Sequence, residues 1–238
     1  NRKLYIYLPN SYNEKPDEYY PVLYMFDGQN VFFDSDATYG KSWGLKEYLE
    51  YTNTQMIVVA PACNQNPDNG RLKEYTPYPF KDKTFGNIKS LGKITMEWFV
   101  NELKPTIDNT FRTRSDRNNT FIAGSSMGGL MSLYAILEYN HIFSRAAALS
   151  PSIWTGPQKL AKMIKNANIN PDTVVYMDYG TEEFPRYKHM IQKFAMISSM
   201  LMKKNIRLNA RIVSNGTHSE ASWEKQIPFF VETLLYEK

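Results

Sequence analysis

Phe121-Ile-Ala-Gly-Ser-Ser-Met-Gly-Gly-Leu-Met131 is the stretch that decides the predicted fold. Its first residues form an apolar, strand-like run, and its last residues open a helical pattern. Between them, residues 124–128 satisfy G-x-S-x-G, the pattern of a sharp strand-to-helix turn. Such a turn places Ser126 at a helix N-terminus, where backbone N–H groups and the helix dipole stabilise negative charge. The pattern favours a nucleophilic serine, and an ordinary helix N-cap is the alternative.

Strand and helix patterns alternate along the rest of the chain. Predicted strands cover residues 4–8, 21–26, 56–60, 119–123, 146–149, 173–179 and 206–213. Predicted helices cover residues 43–51, 94–111, 130–139, 158–166, 187–204 and 219–235. This alternation predicts an α/β fold with a mostly parallel central sheet and helices on both faces.

One domain spanning residues 1–238 is the simplest organisation, since no repeat or linker interrupts the pattern. Residues 64–82 are rich in Pro, Asn and Gly and predict a long loop. Long loops in compact domains are often functional. We expect this loop and residues 153–170 to fold over the sheet edge as a small cap.

Composition narrows the class of protein and of partner. The 238 residues are 42% hydrophobic and 22% charged, as in ordinary globular proteins, and no apolar run reaches the length of a membrane span. The net charge of +4 and the lack of a dense Lys/Arg block argue against nucleic acid or an anionic membrane as partner. Cys63 is the single cysteine, which predicts a cytoplasmic protein. An exported protein that has lost a leader would show the same count.

A nucleophilic serine needs a base, and the chain has three histidines. His218 lies in a polar loop between the last predicted strand and helix, at the sheet edge where ligands bind in this architecture. His141 follows the helix behind the serine, and His189 lies in a charged stretch. We therefore predict His218 as the base.

The base needs an orienting acid, which in this fold class lies between the serine and the histidine. Residues 175–183 supply three carboxylates at the end of a predicted strand. Our order of preference is Glu183, Glu182 and then Asp178. The alternative for the unused glutamate is that it caps the next helix.

An oxyanion needs preplaced N–H donors. The backbone N–H of Met127 follows the serine and is the first candidate. Residues 27–30, Asp-Gly-Gln-Asn, follow the second predicted strand, so we assign the second donor to the backbone of Gln29. A plain strand-ending turn is the alternative.

Aromatic and basic residues in the loops are candidates for substrate binding. Trp43, Arg71 and Trp154 are predicted to line the cleft, because aromatic rings suit sugar faces or aryl groups and an arginine suits an anionic group. Trp43 is equally compatible with core packing, and Arg71 with an ion pair to Glu74.

These stretches together resemble the putative esterase family of α/β-hydrolases. Its members include feruloyl and acetyl-xylan esterases, enterochelin-type esterases, S-formylglutathione hydrolases and mycolyltransferases. The stretches that carry the resemblance are Tyr24-Met-Phe-Asp-Gly-Gln-Asn-Val-Phe32, Trp43-Gly44, Arg71-Leu-Lys-Glu-Tyr-Thr-Pro77, Glu102-Leu-Lys-Pro105, Ala123-Gly-Ser-Ser-Met-Gly-Gly-Leu130, Leu149-Ser-Pro-Ser-Ile-Trp154, Gly180-Thr-Glu-Glu183 and His218.

The resemblance implies the α/β-hydrolase fold, with Ser126 as nucleophile, His218 as base and Glu183 as acid. Two departures stand out. Many relatives have Asp where this chain has Glu183, and many have His-Gly where it has Asp27-Gly28. The first leaves the choice between Glu182 and Glu183 open, and the second leaves the substrate open.

The expected function is hydrolysis of a carboxylic ester through an acyl-enzyme, on carbohydrate-linked or aryl (feruloyl or acetyl) esters. Hydrolysis of a siderophore trilactone or a thioester is the first alternative, and a catalytically silent binding protein is the second. The sequence predicts no metal and no cofactor. The expected partner is a small-molecule or oligosaccharide ester, and a homo-oligomer is left open.

Overall fold

The computed structural model describes residues 2–184 and 189–236. Its strands are β1 (Leu4–Tyr7), β2 (Val22–Met25), β3 (Ile57–Pro61), β4 (Phe80–Asp82), β5 (Gly86–Ile88), β6 (Thr120–Ser125), β7 (Arg145–Leu149), β8 (Val174–Gly180) and β9 (Arg207–Val213). Its α-helices are α1 (Leu45–Tyr51), α2 (Gly70–Glu74), α3 (Gly92–Trp98), α4 (Lys104–Thr110), α5 (Met127–Glu138), α6 (Pro157–Asn166), α7 (Met190–Met202), α8 (Glu220–Glu224) and α9 (Ile227–Leu235). Short 3₁₀ turns lie between them, and a π-helical turn over Phe99–Leu103 joins α3 to α4.

The central sheet of the described residues has seven strands in the order β1-β3-β2-β6-β7-β8-β9. β1 pairs antiparallel to β3, and every other neighbouring pair in this sheet is parallel. β4 and β5 form a separate antiparallel hairpin. Because the loops after parallel strands meet at one edge, the turns that follow β2, β6, β7, β8 and β9 converge there.

Alternate residues of each strand pack into two hydrophobic clusters, one on each face of the sheet. On β2, Val22 and Tyr24 belong to one cluster, while Leu23 and Met25 belong to the other. Helices α3, α5, α6 and α7 contribute side chains to the first cluster, and α1 and α9 contribute to the second. This two-sided burial is the reason why the strands read as continuous apolar runs in the sequence. The fold is therefore the predicted α/β-hydrolase fold.

Several predicted boundaries are wrong. The predicted helix 219–235 is two helices, α8 and α9, because Pro228 lacks the N–H that a continuous helix would need there. The predicted loop 64–82 contains α2 and β4. Helix α5 begins at Met127 rather than at residue 130, so Gly128 and Gly129 form its first turn despite their low helix propensity. The predicted start of the helix 187–204 lies outside the described residues, and α7 ends at Met202.

None of the described helices combines the length and the apolar character that a membrane crossing requires.

Candidate active site

The turn after β6 holds Ser126 in a strained backbone conformation. Its φ of 57° and ψ of −119° lie outside the regions that L-residues favour, and such strain costs about 1–3 kcal/mol. A Cβ on Gly124 would lie 2.8 Å from the carbonyl carbon of Gly128, so the two glycines allow β6 and α5 to approach this closely. Ser126 is half-buried directly before α5. The predicted sharp turn between strand and helix is therefore present, with Ser126 at its centre.

His218 and Glu183 are brought together from separate loops. Nδ1 of His218 lies 2.8 Å from Oε2 of Glu183, which therefore accepts a hydrogen bond from the imidazole. The Glu183 side chain is 1% exposed and the His218 side chain 14% exposed. A Cβ on Gly180 would lie 2.2 Å from the carbonyl oxygen of Gly216, so two glycines let the β8 and β9 loops touch. This contact places the histidine over the acid.

The other oxygen of Glu183 is fixed by two donors. Oε1 accepts hydrogen bonds from the backbone N–H of Gly180 at 2.8 Å and from the hydroxyl of Ser150 at 2.5 Å. The Ser150 hydroxyl itself accepts a hydrogen bond from Nε1 of Trp223 at 2.9 Å. Ser150 has a φ of 44°, a second strained serine at this edge of the sheet. The chain Trp223–Ser150–Glu183–His218 fixes the orientation of the imidazole.

The other two predicted acids lie elsewhere. Glu182 is exposed, and its carboxylate lies 3.5 Å from the Thr181 hydroxyl. Asp178 is buried and accepts hydrogen bonds from the Ser150 N–H and the Tyr176 hydroxyl. Burial raises the pKa of Asp178 to about 7, although these hydrogen bonds oppose the shift. Of the three carboxylates, Glu183 is the one in contact with His218.

Aromatic rings enclose the His218 imidazole. The ring of Phe184 lies 4.2 Å from it, centroid to centroid, and the indole of Trp223 contacts it edge to face at 5.0 Å. These contacts restrict the rotation of the ring and keep water from most of its surface.

A cavity of about 820 Å³ joins Ser126 to His218, since both line it. This volume is typical of small-molecule sites. The Ser126 hydroxyl lies 3.3 Å from the hydroxyl of Ser152, whose backbone N–H also bonds the Ser126 carbonyl at 2.9 Å. In this arrangement the serine hydroxyl is turned towards the β7 loop.

The two predicted oxyanion donors lie on adjacent loops that both line the cavity. A Cβ on Gly128 would lie 2.9 Å from Cβ of Phe26, so the start of α5 touches the end of β2. Met127 directly precedes Gly128, and Gln29 lies three residues after Phe26. Within residues 2–184 and 189–236 the backbone N–H groups of Met127 and Gln29 donate to no protein acceptor. The side-chain carboxamide of Gln29 is bound to Cys63, whose backbone N–H donates to the carboxamide oxygen at 3.1 Å. The geometry thus leaves both N–H groups available, and their catalytic use stays a prediction.

Arg71 lines the cavity and forms a bidentate ion pair with Asp27, with N···O distances of 2.6 and 2.7 Å. Asp27, which stands where many relatives have histidine, has a left-handed φ of 60°. Its negative charge raises the pKa of the Arg71 guanidinium against the opposing effect of burial. The predicted Arg71–Glu74 pair is wrong, because Glu74 pairs with Arg2 instead.

Of the two predicted tryptophans, one reaches the cavity. Trp154 lines it and contacts Phe80 and Phe85 at centroid distances of 5.5 and 6.2 Å. The prediction that Trp43 lines the cleft is wrong. Trp43 is 2% exposed and packs against Trp223 and Phe230, because its position just before α1 points it into the second hydrophobic cluster.

The predicted cap contributes one side of the cavity. We use the name cap wall for residues 64–67 and 69–72, Phe85 and Trp154, all of which line it. From the second predicted cap segment, 153–170, Trp154 is the residue in this lining. The following helix α6 buries Leu160 and Ile164 in the first hydrophobic cluster and belongs to the helical layer of the fold.

Four polar side chains at the site were not predicted from the sequence. Ser150 and Ser152 directly follow β7 in Leu149-Ser-Pro-Ser, and a strand end at the active edge was the available signal. Trp223 and Glu220 lie on α8, directly after the histidine loop. Glu220 is 6% exposed, lines the cavity and accepts a hydrogen bond from Nδ2 of Asn30 at 3.2 Å.

Among the described residues, no group of three or more His, Cys, Asp and Glu side chains could hold a metal ion. The lone thiol, Cys63, accepts a hydrogen bond from Nε2 of Gln29 at 3.3 Å, and burial raises its pKa to about 12. A thiol with so high a pKa is a weak nucleophile at neutral pH.

Comparisons with known proteins find relatives that align with nearly the whole chain. An uncharacterised protein of Bacillus subtilis, YbbA, is 27% identical over an alignment of 245 residues that covers 98% of this chain and 92% of that protein. An endo-1,4-beta-xylanase/feruloyl esterase of Xylanibacter ruminicola is 31% identical over 97% of this chain, which spans 29% of that longer protein. The siderophore hydrolase EstA of Aspergillus nidulans has a similar fold, with a TM-score of 0.75 at 16% identity over 98% of this chain and 90% of that one.

The family model described as "Putative esterase" matches residues 1–234, nearly the whole chain. Together with the α/β-hydrolase architecture, this match identifies the class of enzyme. The chain belongs to the Putative esterase family and is a serine ester hydrolase.

Proposed function

We propose that Ser126, His218 and Glu183 form the catalytic triad of a carboxylic-ester hydrolase that acts through an acyl-enzyme. The observation that carries the proposal is the 2.8 Å hydrogen bond between His218 and Glu183 at a cavity that also contains the strained Ser126. A serine, a histidine and a buried acid in this chain order are the parts that this chemistry needs.

The mechanism follows from the hydrogen bonds. Because Nδ1 of His218 donates to Glu183, Nε2 is left to accept the proton of Ser126 as its oxygen attacks the ester carbonyl. The carbonyl C=O becomes a tetrahedral oxyanion, which the backbone N–H groups of Met127 and Gln29 stabilise. Protonated His218 then gives its proton to the departing alcohol. Water repeats the sequence on the acyl-enzyme and releases the acid.

The Ser126 hydroxyl has to turn from Ser152 towards His218 for this reaction. Catalytic hydrogen bonds in ligand-free sites often tighten only when substrate binds.

The proposed substrate is a carbohydrate-linked or aryl ester. Trp154 and Phe85 give the cap wall a flat aromatic surface that suits a sugar or a phenolic acyl group. Asn64, Asn66 and Asn69 give it carboxamides that suit hydroxyl groups. The Xylanibacter ruminicola relative, named as a feruloyl esterase, supports the same substrate class.

The test compares two serines of one helix segment. Ser126→Ala should lower the release of p-nitrophenol from p-nitrophenyl acetate by at least about a thousandfold, because the nucleophile is lost. Ser132→Ala is the matched control, since Ser132 bonds the Gly128 carbonyl inside α5, away from the cavity. It should retain activity. Equal activity of both variants would exclude Ser126 as nucleophile.

A substrate panel separates the proposed ester class from the alternatives. We expect the highest kcat/KM on feruloylated or acetylated sugars, and lower values on a catecholate trilactone and an S-acyl thioester. A clear preference for the trilactone or the thioester would replace the proposed substrate and retain the triad. No hydrolysis across the panel and a range of acyl lengths would favour a binding protein.

A further inference from the structure

Glu220 is a buried carboxylate in the cavity for which the proposed mechanism has no use. It is 6% exposed and lies two residues after His218, at the first position of α8. One oxygen, Oε1, accepts a hydrogen bond from Asn30 at 3.2 Å, and the carboxylate also accepts one from its own backbone N–H. Among residues 2–184 and 189–236, no Lys, Arg or His nitrogen lies within 4.0 Å of the Glu220 carboxylate. A buried carboxylate without such compensation costs free energy of folding, so a further donor is expected.

The other charged groups near Glu220 do not supply that donor. The charges of Arg71 and Glu220 attract each other, but the Arg71 guanidinium forms its hydrogen bonds with Asp27. His218 donates its Nδ1–H to Glu183. The charges of Arg71 and Asp27 shift the pKa of Glu220 in opposite directions, so among the described residues its carboxylate lines the cavity without an ion pair. Burial accordingly raises the pKa of Glu220.

The position of Glu220 relates it to one part of the substrate. In the proposed mechanism the departing alcohol receives its proton from His218, so that alcohol lies next to the histidine. Glu220, Asn30 and Trp223 surround this end of the cavity. The Glu220 carboxylate offers acceptors to hydroxyl groups, while the Asn30 carboxamide holds it and the buried Trp223 ring packs beside His218.

We propose that Glu220 is a substrate-binding residue whose carboxylate accepts a hydrogen bond from a hydroxyl of a neutral, sugar-like alcohol group. This inference rests on the proposed function and deepens it, because it assigns the sugar to the alcohol side of the ester. The negative charge of Glu220 disfavours alcohol groups that carry carboxylates or phosphates. A cationic alcohol such as choline is the competing occupant, and the experiment below includes it as an outcome.

The experiment uses two esters with the same acyl group. Methyl feruloyl-arabinofuranoside carries sugar hydroxyls on its alcohol side, and methyl ferulate carries none there. The measured quantity is the ratio of kcat/KM for the sugar ester to kcat/KM for the methyl ester. In Glu220→Gln this ratio should fall at least about tenfold, mainly through KM, because an amide replaces a charged acceptor.

Two further variants distinguish a loss of substrate binding from a loss of folding. Glu224→Gln is the matched control, since Glu224 lies one turn later on α8 and pairs with Lys41 at the surface; the ratio should stay at the wild-type value. Glu220→Asp keeps the buried charge but shortens its reach, and should lose part of the ratio. Thermal unfolding of each variant shows that the fold persists.

The outcomes separate this inference from the proposed function. An unchanged ratio in Glu220→Gln overturns the inference, whether or not the two rates fall. An equal fall of both rates would show that Glu220 acts on His218 or on folding. A wild-type enzyme that cleaves p-nitrophenyl acetate but prefers acetylcholine to the sugar ester, or does not cleave the sugar ester, overturns it while leaving the triad intact. A wild-type enzyme that cleaves no ester overturns both.

Discussion

The two sides of the cavity are built in different ways. One side, which we call the catalytic edge, consists of the turns after β6, β8 and β9 that carry Ser126, Glu183 and His218. Backbone hydrogen bonds and a close glycine contact join the β8 and β9 turns, and backbone hydrogen bonds join the β6 turn to the end of β7. The other side is the cap wall, most of which belongs to the long segment after β3. Side-chain pairs such as Asp27–Arg71 fix its position. Topology fixes the first side, while individual loop contacts fix the second.

This difference separates reaction type from substrate choice. The catalytic edge follows from a parallel sheet whose strands all end on one side. The cap wall can change without altering the sheet, because few of its contacts involve strand residues. We therefore expect substitutions at the edge to reduce turnover on every ester, and substitutions in the wall to change the preference among esters.

The largest expected effect concerns the acid of the triad. Glu183→Gln should lower kcat/KM about 10²- to 10⁴-fold on all esters, because the neutral amide no longer stabilises the imidazolium of His218. Glu182→Gln is the matched control, since Glu182 is the neighbouring residue and is exposed. It should change kcat/KM less than about twofold. A reversed pattern in steady-state assays would move the acid to Glu182.

The same small change can be made on each side of the cavity. Gly180→Ala would place a Cβ 2.2 Å from the Gly216 carbonyl oxygen and should displace the histidine loop, lowering kcat at least about tenfold. Gly86→Ala, in the hairpin behind the cap wall, meets nothing within 4 Å and costs only the strain of its φ of 73°. It should retain kcat. Equal losses in both variants would contradict the stronger coupling of the catalytic edge.

In the cap wall, Trp154→Ala should change the preference of the enzyme between aromatic and small acyl groups. Loss of the indole should lower kcat/KM for methyl ferulate about threefold to tenfold more than for p-nitrophenyl acetate, because an aromatic contact contributes about 0.5–1.5 kcal/mol beyond its buried area. Tyr51→Ala, an aromatic that is 90% exposed on the surface, is the control. A uniform loss on both esters would assign Trp154 to folding rather than to substrate binding.

The smallest expected effect concerns stability and Asp178. Its pKa rises from 3.8 in the unfolded chain to about 7 in the fold, so the folded state holds the proton more tightly between these values. Its contribution to stability is therefore full below pH 4 and is lost as the pH rises to about 7. Asp178→Asn should reduce the loss of stability between pH 5 and pH 8 by more than about 1 kcal/mol, since one pKa unit corresponds to about 1.4 kcal/mol.

Urea unfolding of both proteins at the two pH values provides the measurement. A parallel pH dependence of the wild type and Asp178→Asn would show that Asp178 ionises as freely in the fold as in the unfolded chain.

More of the catalytic edge than of the cap wall could be predicted from the sequence. Ser126, Glu183 and His218 were identified because each follows a strand whose apolar run is plain in the sequence. The structure brings Glu183 and His218 into contact and opens Ser126 to the same cavity. The glycines at 124, 128 and 180 add local signals, since close backbone approach demands them.

The contacts that shape the cap wall and support the site residues could not be predicted from the sequence. Trp43 was misplaced because the sequence does not show which face of the sheet a loop tryptophan will reach. The Asp27–Arg71 pair joins residues 44 positions apart, and the Asn30–Glu220 bond joins residues 190 positions apart. No local pattern encodes such contacts. Pairings of this kind depend on the packed fold, and they are the ones that shape the substrate site.

The most direct test of the account is covalent labelling of the nucleophile. Wild-type protein treated with diethyl p-nitrophenyl phosphate should lose esterase activity, and peptide mass spectrometry should place the diethylphosphoryl group on Ser126. Labelling should slow at least about a hundredfold in His218→Gln, whereas His141→Gln should label at the wild-type rate. A label on Ser125 or Ser152, or labelling of Ser126 that is independent of His218, would contradict the proposed triad.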